Sequence, residues 1–324
     1  MNNIKKIGLS ALAGSLVAFS AQAAELSVSG TAEATYVSKG GTGGATAHTG
    51  NPMGLNTGIT LTGTGDVNGY DVTLTTVLAD GHGSGRSSSS LTIDMGDMGQ
   101  VGFDQGVGLY GIGTVENKIP SAWEEPDHGM TDMHQIDVNG AGNVVGYKNT
   151  FAGAGVSIEL QPGVGGTAAG DGGSTVATGT EYNLAVNYSP ADGVTLWGGY
   201  ANESTNGADD DTEMTAAIQY ATGPITVGYQ RSTVDPGSGA STEVEAMGVA
   251  FAVNDNLSIS YGSTENTRDA TATAVEASSE ATAINAAYTM GSAAIKVAMG
   301  EQDNQGYTAN KNAEYTEVSL SLSF

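Results

Sequence analysis

Carboxylates dominate the chemistry this chain could perform. Between Gln105 and Gly142 stand Glu116, Glu124, Glu125, Asp127, Asp132 and Asp137 against a single Lys118, with His128 and His134 among them. Oxygen donors at that density suit a hard cation such as Ca2+, which takes about six to eight oxygens. Glu124, Asp127 and Asp132 are the candidates for such a site, the plainer reading being an acidic segment open to water. Asp209-Asp210-Asp211 is a second carboxylate run. Gly106-Val-Gly-Leu-Tyr-Gly111 has the glycine spacing of a dinucleotide loop, but Pro120 and Pro126 follow where a helix N-terminus should receive the pyrophosphate. These glycines read instead as bends. No GxSxG, HExxH or Walker pattern occurs, so no catalytic residue and no other cofactor is assigned, and the chain reads as a non-enzyme.

The composition narrows what could position these groups. Among 324 residues there are 49 glycines, no cysteine, and 35 Asp+Glu against 10 Lys+Arg, a formal charge of −25. That sign argues against a nucleic-acid partner bound through its phosphates, and the missing cysteines exclude disulfide and thiolate-metal chemistry. Hydrophobic residues at 39% are too many, and too regularly placed, for a disordered acidic chain. At the N-terminus, Lys5 and Lys6, the apolar run Ile7 to Ala18 and the small-residue stretch Ala21-Gln22-Ala23 predict a secretory signal peptide over 1–23. Its removal leaves a domain of residues 24–324 and a charge of −27, since both lysines depart and no acid does.

From Glu25 onward apolar residues alternate with polar ones at period two, the mark of strands. Leu26/Val28/Ala32/Ala34/Tyr36, Tyr182/Leu184/Val186/Tyr188 and Val318/Leu320/Leu322/Phe324 are three of sixteen such sets. All seven prolines fall in or beside the breaks between them, where a missing N–H costs no ladder bond. Eleven tyrosines lie within the sets, and all but Tyr315 share their strand's aliphatic parity, many near strand ends. Aromatic girdles at two membrane interfaces account for that placement, and a soluble sandwich does not. Seven short breaks alternate with eight long ones, as sixteen antiparallel strands require when one rim carries turns and the other loops. No run after Ala24 is apolar enough for a spanning helix, so a membrane location requires a barrel.

The predicted fold is therefore all-β, a 16-stranded antiparallel transmembrane β-barrel with short periplasmic turns and long extracellular loops. Its inner face is Ser, Thr, Asn, Glu and Gly, and a barrel of this size leaves an aqueous lumen. By parity the wall carries Glu33, Asp71, Asp94, Glu159, Glu181, Glu213 and Glu317 inward, with Lys148 and Lys296. Lys39, Arg86, Arg268 and Lys311 fall in extracellular breaks, and Arg231 points outward. A lining of one sign within low-dielectric walls concentrates counterions, here cations. Trp197, inward by parity, is a sugar-stacking platform or packing beneath a loop, and Trp123 belongs to the longest break.

Three stretches resemble the Gram-negative general porins, in particular the 16-stranded alphaproteobacterial type. They are the opening Ala24-Glu-Leu-Ser-Val-Ser-Gly-Thr-Ala strand, the Val145-Gly-Tyr-Lys-Asn-Thr-Phe-Ala-Gly hairpin after the longest break, and the closing Glu317-Val-Ser-Leu-Ser-Leu-Ser-Phe324. The resemblance spans the whole mature chain. It implies a homotrimer in the cell outer membrane, with a water-filled channel in each protomer for small hydrophilic solutes and ions. It also implies that the third loop, Gln105 to Gly142, folds into the lumen as the constriction, and that the terminal Phe324 is the signal read by the barrel-assembly machinery. Such porins face the acidic loop with a basic cluster on the wall, of which Lys148 and Lys296 are a thin version here. The alternatives are a solute-specific outer-membrane channel with a ligand-binding lumen, and a non-conducting structural or adhesive barrel.

Overall fold

A computed structural model of the chain describes residues 25–42, 51–79, 87–130, 133, 135–136, 143–163, 179–204, 210–271 and 275–324. The predicted signal peptide, Arg86, Asp132, His134, Asp137 and Asp209 lie outside these residues.

Sixteen strands form one closed antiparallel barrel in which each strand pairs with its sequence neighbours and β1 pairs with β16. In chain order they are β1 Glu25–Gly41, β2 Met53–Val67, β3 Tyr70–Ala79, β4 Ser88–Asp94, β5 Gln100–Gln105, β6 Val144–Phe151, β7 Ala154–Gln161 and β8 Glu181–Ala191. Then come β9 Val194–Glu203, β10 Asp211–Thr222, β11 Ile225–Asp235, β12 Thr242–Ala252, β13 Leu257–Arg268, β14 Ala277–Met290, β15 Ala293–Asp303 and β16 Ala313–Ser323. In hydrocarbon every backbone polar group must be paired internally, and closure removes the edges that would violate this.

Side-chain polarity is inside out relative to a soluble protein. Leu26, Leu55, Ile284 and Met299 are 56–71% exposed on the outer surface, whereas Gln230, Gln302, Glu213 and Ser232 are at most 1% exposed inside. Ten strand tyrosines follow the outer face, and Tyr315 alone turns inward, where it is buried. The alternation is thus the imprint of lipid on one face and polar packing on the other.

The short-turn rim is built by local chemistry. Asn68 and Gly69, with φ of 57° and 86°, make the two-residue turn from β2 to β3, both in the left-handed region such hairpin turns require. Pro190 sits at the irregularity in β8 pairing between Tyr188 and Ala191, where no ladder N–H is lost. At the seam, Thr31 to Gly41 pair with Ser323 to Ala313. The last residue completes it: the Phe324 N–H donates to the Gly30 carbonyl at 3.0 Å and the Gly30 N–H to the Phe324 carbonyl at 2.7 Å.

Two basic residues depart from the sequence expectation. β1 continues to Gly41, so Lys39 belongs to the strand and faces the lumen rather than lying in an extracellular break. Arg268 closes β13, its guanidinium 4.3 Å above the Tyr307 ring. In both cases pairing with a neighbouring strand extends the ladder past the point where the alternation stops being readable. Lys311 does lie in the break before β16, and Arg231 is outward, paired with Glu243 at 2.6 Å.

Candidate functional site: the inserted third loop

The longest described connection, between β5 and β6, leaves the wall at Asp104. This buried carboxylate accepts the Val107 N–H at 2.7 Å and the Leu109 N–H at 2.8 Å, bending the chain into the lumen. Gly106, Gly108 and Gly111 all have φ between 67° and 82°, the freedom that bend requires. The dinucleotide-like spacing therefore serves the turn.

Inside, the segment runs along the wall, held strand by strand. The Gly111 N–H donates to Ser157 Oγ on β7 at 2.9 Å and the Ile112 N–H to Asn183 Oδ1 on β8 at 2.8 Å. Ile112 and Val115, in a 3-10 turn, pack with Ile136, Ala185, Ala201 and Trp197, so Trp197 is packing beneath the loop. The Lys118 N–H donates to Gln230 Oε1 on β11 at 2.7 Å, and Gln230 Nε2 donates to the Glu116 carbonyl, also at 2.7 Å. The Ala122 N–H reaches Ser260 Oγ on β13 at 2.9 Å, and Asn285 Nδ2 on β14 donates to the Glu124 carbonyl at 3.0 Å. Finally, Lys39 Nζ on β1 donates to the Gly129 carbonyl at 3.1 Å.

Glycines on the inner face make room for this path. A Cβ on Gly146 would lie 2.0 Å from the Tyr110 ring, on Gly199 2.7 Å from Ile112, on Gly228 2.5 Å from Pro120, on Gly248 2.4 Å from Ile119 and on Gly262 2.6 Å from Pro126. No side chain fits at those separations, so the wall is grooved to the loop's shape.

The structure sorts the predicted site residues into groups. Glu116, Lys118, Glu124 and Glu125 are partly exposed on the inserted loop, while Asp127 is buried. Burial, reinforced by Glu125 and Glu116, pushes the Asp127 carboxyl up to about 7. Burial also draws the Lys118 ammonium below its usual value. Of the wall residues, Asp71 and Asp94 are exposed where β3 and β4 meet the short-turn rim. Glu159, Glu181, Glu213 and Glu317 point inward but are 1–7% exposed, so they support the loop's side of the wall instead of lining open water. Asn183 Nδ2 ties Glu159 and Glu181 together at 3.3 and 2.8 Å.

The two wall lysines are engaged. Lys296 Nζ lies 2.8 Å from Glu33 Oε1 and 4.8 Å from the centre of the Trp123 ring, while Lys148 Nζ lies 5.4 Å from that of Tyr110. Glu33 also accepts hydrogen bonds from Ser319 and Ser321.

Glu124 does not meet Asp127 in a common ligand cluster. Its Oε2 is 3.0 Å from His128 Nδ1, and His128 Nε2 is 2.9 Å from Tyr315 Oη and 3.2 Å from Glu317 Oε2. Asp104, Asn183, Gln230 and this His128–Tyr315–Glu317 contact have no counterpart in the sequence expectations. The one signal in the sequence was Tyr315 breaking the outward parity of the other strand tyrosines.

Comparison with known proteins fits this architecture. An anion-selective porin from Comamonas acidovorans is 16% identical with a TM-score of 0.64, covering 93% of this chain and 100% of that one. OmpT, an outer membrane protein of Vibrio cholerae solved in its trimer form, is 11% identical with a TM-score of 0.67 and the same coverage. Salmonella typhi OmpF in complex with daunomycin is 13% identical with a TM-score of 0.66, covering 92% and 97%. No curated protein matches by sequence. These likenesses establish the fold, and the model of Gram-negative porins matches residues 8–324; the chain belongs to the Gram-negative porin family and to the outer membrane.

Proposed function

We propose that this porin is a diffusion channel for small hydrophilic solutes and ions that favours cations, sieving by its inserted loop without a catalytic step. The observation that carries the reading is the charge of the loop and its surroundings. Glu116, Glu124 and Glu125 are partly open inside the barrel against Lys118 on the same loop, while Lys296 is paired with Glu33 and Lys39 and Lys148 lie over tyrosine rings. A narrow, low-dielectric passage with that imbalance enriches cations. Fold alone does not set the preference, since a barrel of the same architecture is described as anion-selective.

The deciding measurement is the reversal potential of refolded protein in a planar bilayer under a KCl gradient. A potential favouring K+ is expected; one favouring Cl− refutes the preference, and folded protein without conductance refutes the channel. The reading includes a homotrimer, supported by the trimeric form of the OmpT relative and testable by the mass of the detergent complex. It also includes cleavage after Ala23, testable by the mass of the chain from outer membranes, and recognition of Phe324 by the barrel-assembly machinery. The Ca2+ expectation at Glu124, Asp127 and Asp132 gains nothing from the geometry, because Asp132 is outside the described residues and the metal-compatible cluster joins Glu124 to other partners.

A further inference from the structure

We infer that His128 and Glu317 form a site for a divalent cation of the zinc class, a site that fastens the loop tip to β16 and sets the charge of the constriction. The inference rests on the channel reading only for its effect on conductance. One ligand atom each from Glu124, His128 and Glu317 lies within 4.8 Å of the others, and the three come from two places in the chain, the loop and the far wall.

The hydrogen bonds show why a cation belongs there. Tyr315 donates its only hydroxyl hydrogen to Glu317 Oε2, so it has none left for His128 Nε2, 2.9 Å away. His128 Nδ1 faces Glu124 Oε2 at 3.0 Å, which places the ring proton of a neutral imidazole on Nδ1. Nε2 then presents a lone pair to Glu317 Oε2 at 3.2 Å and to the tyrosine oxygen. Nε2 and Glu317 Oε2 thus face each other with no hydrogen between them, and a cation there resolves the conflict. The alternative occupant is a second proton on the ring.

Coordination chemistry favours the metal's class. Two bonds of about 2.0–2.1 Å at a tetrahedral angle place ligand atoms about 3.3 Å apart, close to the Nε2 to Oε2 separation. Metal-bound histidines commonly donate their other N–H to a carboxylate, which fixes ring and tautomer; Glu124 occupies that position. One imidazole with carboxylate oxygen suits Zn2+, whereas Ca2+ wants oxygens alone. The ion would add positive charge beside Glu124 and tie residues 124–128 to β16.

Calorimetric titration of ZnCl2 into the full-length folded barrel in detergent at pH 7.5 tests this. About one Zn2+ per chain is expected, lost in His128→Gln and in Glu317→Gln and weakened about tenfold in Glu124→Gln, where only the orienting partner goes. Heat-modifiable mobility confirms that each variant is folded, and either of the first two suffices. In bilayers, Zn2+ should lower the cation preference of the wild type and leave that of His128→Gln unchanged. Equal zinc binding by wild type and both variants, no zinc binding by the wild type, or CaCl2 binding as tightly as ZnCl2 overturns the assignment. A barrel that binds zinc but never conducts would refute the channel reading and leave the site standing.

Discussion

At the scale of single residues, pairing decides which charges the lumen presents. Lys296 offsets Glu33 at 2.8 Å, so Lys296→Gln removes a positive charge and frees a carboxylate toward the lumen. The reversal potential of that variant under a KCl gradient should move further toward K+; an unchanged or anion-ward value would show that this pair does not sense the permeating ions. Asp127 carries a pH dependence of definite sign. Its carboxyl is raised to about 7 in the docked loop from the ordinary 3.8, so the docked form binds more protons between those values. Docking is then strongest below about pH 4, weakens as pH rises toward about 7, and is constant above, as far as this group contributes. Hydrogen-exchange protection factors of residues 119–130, which divide out the base-catalysed intrinsic rate at each pH, should therefore be lower at pH 8 than at pH 5 in the wild type. Asp127→Asn should lose that part of the slope, and a variant with the full wild-type slope would assign it to other groups.

At the scale of the element, the third loop is a strap whose path is cut into the wall. Its contacts include side chains of β1, β7, β8, β10, β11, β13 and β14 donating to or accepting from loop backbone, so no single substitution releases it. The glycine groove is the exception. A valine at Gly146 or Gly248 meets Tyr110 or Ile119 well inside van der Waals contact, and because the Tyr110 ring lies directly over the paired Gly102 and Gly146 of β5 and β6 the loop must yield. Gly146→Val and Gly248→Val should each give barrels of ordinary heat-modifiable mobility whose third loop is cut faster by trypsin at Lys118. Protection equal to wild type would mean that the groove does not hold the loop. Phe324 belongs to the same scale. Its ring covers Gly30 so closely that a Cβ there would lie 2.3 Å from it, so Gly30→Val should reduce folded barrel yield at the β1–β16 seam even with Phe324 present.

For the whole molecule, the two solvents of the barrel set its energetics. Ile284 lies near the middle of β14 and is 60% exposed on the outer face, so Ile284→Arg should cost about 2–4 kcal/mol if it lies at the bilayer midplane. Urea unfolding in lipid vesicles measures this. Toward the loop rim the outer face changes character. Glu245 pairs across to Glu265, Glu265 to Glu280 and Glu280 to Asp303, and Glu301 to Glu314. Like charges directly opposite on neighbouring strands are destabilising, and the repulsion is screened by salt. Barrel stability should rise between about 10 mM and 150 mM NaCl, and a flat or falling dependence would show these carboxylates already neutralised.

The sequence by itself determined the strand count, the short and long rims, and which face of each strand meets lipid. Those follow from a period of two and from where glycine, asparagine and proline break it, both local properties. It also marked residues 105–142 as the candidate functional segment by length and acidity. It did not determine what happens inside the barrel, because an inward side chain has no fixed partner until a loop is laid against it. Parity placed Glu159, Glu181 and Glu213 in the lumen correctly, yet only packing shows them buried. Lys39 could be assigned to β1 only through its pairing with β16, nearly three hundred residues away in the chain. The meeting of Glu124 and His128 with Tyr315 and Glu317 likewise joins residues almost two hundred positions apart. Such contacts arise when the closed ring brings β16 opposite the strap's far end, and the alternation that builds the ring carries no record of them.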